Sequence, residues 1–139
     1  MKYTDIIFKL LIMNEGLKLK PYRDTVGKLT IGVGRNLDDM GITEDEAYYM
    51  LENDIKRCKE ELRSIFVNFD DYEPHIQAVL IDMIFNLGKT KFLTFKNFIK
   101  AIKENKIKTA AYEMMNSKWA QQVKSRAMRD KKLLLTGEL

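Results

Sequence analysis

Two carboxylates, Glu15 and Asp24, stand nine residues apart (24 − 15 = 9), and Thr30 follows six residues later. Hydrolysis of an acetal such as a glycosidic bond uses this kind of set. It needs one protonated acid beside the leaving oxygen and one ionised carboxylate on the opposite face of the ring. The two groups must sit in environments that push similar pKa values apart. Glu15 follows the apolar run Leu10-Leu11-Ile12-Met13 and precedes Gly16, which places it at the end of a helix that Gly16 terminates. The negative end of the helix dipole and partial desolvation both disfavour an ionised side chain, so Glu15 is the candidate acid. Asp24 lies in the polar run Arg23-Asp24-Thr25, where it can stay charged as a base or as the stabiliser of an oxocarbenium-like centre. The Thr30 hydroxyl could orient a water molecule. Taken singly, the three have plainer readings: a solvated helix end, a turn aspartate and a β-branched strand residue.

The elements around these residues can be read from periodicity. Thr4 is the expected N-cap of a first helix that runs to about Asn14 or Glu15. Its apolar positions are too dense for one stripe, which predicts burial on more than one side. Val26-Gly27 suits a hairpin corner, and Leu29-Thr30-Ile31 reads as strand. Gly32-Val33-Gly34 lacks the third glycine and the following helix of a dinucleotide loop, and marks a bulge or a close backbone approach. Asn36 to Gly41 reads as a polar loop. Thr43 and Glu46 then form a capping box. Ala47, Tyr48, Leu51, Ile55, Cys58, Leu62 and Ile65 recur at spacings of three and four, the single apolar face of a helix of roughly six turns. Asn68 to Pro74 is a polar linker. His75 to Leu87 is apolar on nearly all sides, as expected for the centre of a core, with His75 itself placed at the surface. Phe92 to Ile102 and Ile107 to Met115 give two short amphipathic helices. Ser117-Lys118-Trp119 opens a final helical region to about Leu135, with Trp119 as a core anchor.

Composition narrows the function classes. A chain of 139 residues with 45% apolar content makes one domain with a substantial core. The net charge of +4 favours an anionic partner such as a wall polymer, nucleic acid or acidic lipid. No RNP-like aromatic motif, zinc-finger spacing or long basic tract supports nucleic acid. The single cysteine, Cys58, excludes an intramolecular disulfide and falls on an apolar face as a small core residue. No run reaches the roughly 18 apolar residues of a membrane span. The N-terminal Ile6 to Met13 run is preceded by Asp5 and interrupted by Lys9, with no small-residue cleavage site after it, so it reads as a mature helix and not as a signal peptide. Synthesis and folding in a reducing host cytoplasm fit these features; if the substrate is a wall polymer, another agent must carry the chain across the inner membrane to it. Metal and organic cofactors are not expected, and the lack of a heptad seam makes a monomer the default.

The stretch from Glu15 to Arg35 carries the pattern E-G-x-x-L-x-x-Y-x-D-T-x-G-x-x-T-I-G-x-G. It resembles the active-site segment of the phage lysozymes, the T4-like members of glycoside hydrolase family 24. Ile42-Thr43-Glu44-Asp45-Glu46-Ala47 resembles the start of that family's lobe-connecting helix. Phe85-Asn86-Leu87-Gly88 and the Ser117-x-Trp119-x-x-Gln122…Arg126-Ala127 run resemble two further signatures. The resemblance implies a mainly helical α+β fold with two lobes. A small hairpin lobe would span about 16–42, a connecting helix about 43–66, and a helical lobe about 74–135 together with the N-terminal helix, with the substrate cleft between the lobes. The short connection from Gly34 to Thr43 implies loss of an extra small-lobe helix.

The implied activity is that of a muramidase, which cleaves the β-1,4 bond between N-acetylmuramic acid and N-acetylglucosamine in peptidoglycan. Glu15 would be the acid, with Asp24 and Thr30 handling the attacking water and inverting the anomeric centre. Inversion needs carboxyl groups roughly 6.5–9.5 Å apart. Phe85, Asn86 and Asn36 are the implied substrate contacts. Arg126 would support the site by pairing with Glu15, which would oppose the upward pressure on that carboxyl. The implied setting is phage-driven lysis by an endolysin released by a holin or similar partner, or a prophage or tail-associated counterpart. Two other readings remain open. A lytic transglycosylase needs only one acid, and Asp24 and Thr30 argue against it. A non-catalytic cationic wall- or membrane-active protein would use the basic C-terminal run of Lys124, Arg126, Arg129, Lys131 and Lys132 beside Leu133-Leu134-Leu135.

Overall fold

Gly16 ends the first helix by adopting φ 77°, a region that disfavours L side chains, and its amide closes the last turn on the Ile12 carbonyl at 2.8 Å. The computed structural model describes residues 2–139. It divides into two compact units, Met1–Met50 and Leu51–Leu139. Helix α1 covers Ile6–Glu15 and is preceded by Asp5 as N-cap, in place of the expected Thr4. The Asp5 carboxylate is drawn into the preceding turn, where it accepts from the Lys2 amide at 3.0 Å. No residue of α1 is buried, contrary to the burial that its apolar density predicts. A unit of fifty residues, with three short strands and the start of one further helix beside α1, has too little surface to cover it all round.

A three-stranded antiparallel sheet follows, in the order β1 (Lys18–Arg23), β2 (Leu29–Gly32), β3 (Arg35–Asn36). Tyr22 pairs with Thr30 and Arg23 with Leu29, and the register is irregular between Lys18 and Tyr22. Pro21 lies inside that irregular stretch and has no amide to give the ladder. Strand β3 takes in Asn36, the first residue of the expected polar loop. Gly32 and Gly34, at φ 71° and 65°, make the tight return that brings Ile31 opposite Arg35.

Helix α2, Glu44–Ile65, begins in the first unit and ends in the second. Its capping box forms as read. The Glu46 amide donates to Thr43 Oγ1 at 3.1 Å, and the Thr43 amide donates to Glu46 Oε1 at 2.9 Å. Only the C-terminal half of its apolar face enters the core, at Cys58 and Leu62, while Tyr48 and Leu51 stay exposed.

The second unit adds α3 (Pro74–Leu87), α4 (Lys89–Phe92), α5 (Lys96–Lys103), α6 (Ile107–Met115), α7 (Lys118–Val123) and α8 (Ser125–Thr136). Helix α3 supplies Ile76, Val79, Leu80, Met83 and Ile84 to the core, as its all-round apolar pattern predicts. Every buried apolar residue of the described chain lies between Cys58 and Leu134. The linker before α3 is more than a connector, because a single 3-10 turn at Phe69–Asp71 buries Phe69 completely. The helix expected over Phe92–Ile102 is split into α4 and α5. The final helical region is split at Lys124, whose φ of 28° is incompatible with a continuous helix. Ser117 caps α7 by accepting from the Ala120 amide at 3.1 Å.

Trp119 and Cys58 are buried as expected, and burial pushes the Cys58 thiol pKa up. His75 is half-buried: its side chain is 23% exposed and lies 3.4 Å from the Glu73 carboxylate. Leu134 of the basic C-terminal run is buried in the core. No helix of the described residues is long and apolar enough to cross a membrane.

Candidate active site

The hairpin corner is built by Asp24 itself. Its Oδ1 accepts from the amides of Val26 at 3.0 Å and Lys28 at 2.8 Å. Its backbone amide donates to Lys28 O at 2.9 Å, and its carbonyl accepts from Gly27 at 3.0 Å. This is the local bonding that lets aspartate stand in for a turn. It also fixes the carboxylate plane. One oxygen is held by the turn, while Oδ2 accepts no hydrogen bond among the described residues. The turn reading and the chemical reading of Asp24 therefore use different oxygens.

Thr30 lies one strand across, paired with Tyr22 on one side and Asn36 on the other. It is 3% exposed, the one buried residue among the described residues of the first unit. Its hydroxyl donates to Lys28 O at 2.9 Å. With that proton committed, Oγ1 has only lone pairs left to offer, so it can accept from a water molecule.

Glu15, the last residue of α1, is exposed, so the partial desolvation expected from its apolar neighbours is not seen. Its carboxyl group lies against Gly34. A Cβ placed on Gly34 would fall 2.6 Å from Glu15 Oε2 and 3.0 Å from its carboxyl carbon. The close backbone approach expected of Gly32-Val33-Gly34 is thus specific: Gly34 leaves room for the Glu15 carboxylate. The β2–β3 turn and the end of α1 meet there within one unit.

Arg35 and Glu46 hold the frame in a way that sequence inspection missed. The Arg35 guanidinium forks onto both Glu46 oxygens at 2.9 Å and donates to Gly41 O at 3.1 Å. The fork, with the Thr43 amide and hydroxyl behind it, lowers the Glu46 pKa to about 2. The capping-box pattern located Glu46, but its second partner could be found only once β3 existed. Asn36 is occupied in the same loop. Its Nδ2 donates to Asp39 Oδ2 at 2.9 Å, and its Oδ1 accepts from the Asp39 amide at 3.0 Å.

In the second unit, Phe85 is 44% exposed. Asn86 Oδ1 accepts from Trp119 Nε1 at 2.8 Å, which leaves its amide NH2 as a donor. The Arg126 guanidinium forks onto Asp82, at 2.9 Å from Nε and 2.8 Å from Nη2. Asp82 on α3 is part-buried opposite α8, and a planar fork satisfies both of its oxygens. Asp130 lies in the same cluster. It is 5% exposed, and its Oδ2 has no hydrogen-bond partner. Burial first, and then the neighbouring Asp82, raise the Asp130 pKa to about 8. Burial also works against Asp82, but the Arg126 fork and the proton on Asp130 outweigh it and hold Asp82 low. Among the described residues, no group of three or more His, Cys, Asp or Glu side chains could hold a metal ion.

A family profile described as phage lysozyme matches residues 13–132. Probable T4-type lysozyme 1 of Dictyostelium discoideum is 31% identical over 162 aligned residues, which cover 94% of this chain and 94% of that protein. Probable T4-type lysozyme 2 of the same organism is 28% identical, again over 94% of each chain. The pre-baseplate central spike protein Gp5 of Enterobacteria phage T4 is 27% identical over 94% of this chain and 28% of its own length. The profile takes in Glu15, Asp24 and Thr30 as well as α2 to α7, so the match joins the hairpin unit and the helical unit in one family pattern. The chain belongs to the phage lysozyme family and is a glycoside hydrolase of the lysozyme type, with a mainly helical α+β fold.

Proposed function

We propose that the protein cleaves the β-1,4 bond between N-acetylmuramic acid and N-acetylglucosamine in peptidoglycan by a single displacement, and that Glu15, Asp24 and Thr30 carry the reaction. The observation that most supports this is the division of labour at Asp24, where Oδ1 holds the hairpin corner and Oδ2 is left free. Glu15 gives its proton to the glycosidic oxygen as the bond to the anomeric carbon breaks. A water molecule attacks that carbon from the opposite face. It passes one proton to Asp24 Oδ2, while its other hydrogen is held by Thr30 Oγ1. The product carries the inverted configuration, and exchange with solvent restores both carboxyl groups. Phe85 supplies a half-exposed ring and Asn86 an amide donor for substrate contact. Asn36 acts through the shape of its loop, since both ends of its side chain are engaged by Asp39. Arg126 acts on α3 through Asp82.

The biological reading is an endolysin that acts as a monomer and reaches the wall with a holin or equivalent. The deciding experiment is mass spectrometry of fragments released from purified peptidoglycan by the natural chain and by Glu15→Gln. Reducing N-acetylmuramic acid ends, absent with the folded variant, are the expected result. Anhydro ends would move the reaction to a lytic transglycosylase. Release that survives Glu15→Gln would remove Glu15 from the acid role.

A further inference from the structure

A groove of about 800 Å³ lies in the second unit, between the end of α2 and the α4–α5 segment. Ile65, Leu93 and Ile99 give it an apolar floor, and four lysines line it: Lys89, Lys96, Lys100 and Lys103. None of these ammonium groups has a carboxylate partner among the described residues. The one acid on the lining, Glu104, is held by Lys106 at 3.2 Å. Lys96, Lys100 and Lys103 follow one another at i, i+4 and i+7 on α5. Their origins therefore rise by roughly 6 Å and then 4.5 Å along a single face. The opposite face of α5 is pinned by the buried Phe98, Ala101 and Ile102, so the row of charges sits on a rigid element.

We infer that this groove binds a linear polyphosphodiester of the polyol-phosphate type, a wall polymer separate from the glycan that is cut. The charge complementarity is direct, because an ammonium on a flexible stem binds phosphate as a point charge. One lysine per helical turn suits a chain with one charge per short repeat. Between charges, the methylene units of such a chain can lie on Ile65, Leu93 and Ile99. Nucleic acid fits less well, since single strands rely on aromatic platforms and no aromatic side chain lines the groove. A concave channel is also a poorer match to a flat bilayer than to a single chain.

The test is fluorescence titration of the full chain with labelled poly(glycerol phosphate) across a series of salt concentrations. The comparison uses two triple variants of equal net charge. Lys96→Ala/Lys100→Ala/Lys103→Ala strips the α5 row, and Lys2→Ala/Lys56→Ala/Lys108→Ala removes three exposed lysines elsewhere. The expected result is a loss of at least tenfold in affinity for the groove variant only, with the slope of log K against log salt shallower by about 2. Both variants should digest polymer-free peptidoglycan like the natural chain, so failure of this inference is separable from failure of the hydrolase reading. Equal losses in the two variants, no binding by the natural chain, or tighter binding of single-stranded DNA or phosphatidylglycerol vesicles would each overturn it.

Discussion

In the proposed mechanism Asp24 has two duties on two oxygens, and one substitution separates them. In Asp24→Asn the side-chain carbonyl still accepts from the Val26 and Lys28 amides, so the hairpin corner survives. The free oxygen becomes an NH2 that cannot take a proton. The expected outcome is an unchanged thermal midpoint with hydrolysis reduced by about 10² to 10⁴-fold, measured by reducing-sugar release. Asp24→Ala should lose stability as well. Gly34 is tested in the same way. Gly34→Ala places a methyl group 2.6 Å from Glu15 Oε2 at a residue with φ 65°. Far-ultraviolet circular dichroism should show a folded chain, destabilised by about 1 kcal/mol, with activity lost because the Glu15 carboxyl is displaced. The three residues proposed to carry the reaction stood out in the sequence through the family pattern that holds them in register, since each taken singly has a plainer reading. The need for glycine at position 34 was visible only as a general close approach, because its reason is a residue on a different element.

Helix pairing brings together what local pattern cannot. The capping box of α2 was readable because both its members lie within one turn. The Arg35–Glu46 fork and the Arg126–Asp82 fork join residues on separate elements, which no local pattern predicts. The Asp82–Asp130 contact between α3 and α8 also has a thermodynamic consequence. Asp130 is protonated in the folded chain up to about pH 8, whereas an unfolded aspartate ionises near ~3.9. Between those values the folded state binds more protons than the unfolded state, so stability falls as pH rises through this window. Asp82 has the opposite sign, and its contribution is lost only as pH falls below the ordinary carboxylate range. Asp130→Asn keeps a donor toward Asp82 and removes the titration. The thermal midpoint of the natural chain should decline by a few degrees from pH 5 to pH 8, and that of the variant should stay nearly flat. A parallel decline in both would assign the effect to other groups. The breaks at Leu93–Phe95 and at Lys124 were not legible, because continuous amphipathic spacing runs through both and tertiary packing interrupts it.

At the scale of the molecule, the apolar core and the residues proposed to react lie in different units. The core runs from Cys58 to Leu134, while Glu15, Asp24 and Thr30 lie before it. Composition and periodicity showed a substantial core and its central helix. They overstated the burial of α1, since apolar density gives no account of how much partner surface a helix has. A fragment spanning 43–139 retains the whole core and the α2 cap, and should unfold cooperatively on heating. A fragment spanning 1–42 has one buried residue, and should give a featureless, non-cooperative melt. A cooperative melt of the shorter fragment would show that hairpin hydrogen bonds suffice without a core.

Cys58 is the only cysteine, and it is 1% exposed with its thiol held in the unreactive protonated form by burial. The folded protein is therefore expected to react far more slowly with thiol reagents than a free cysteine does. Any modification that does occur must pass through an opening of the centre of the molecule. The rate at which an aromatic disulfide reagent colours the solution then becomes a clock for that opening. It can be read without denaturant, and in the presence of intact walls.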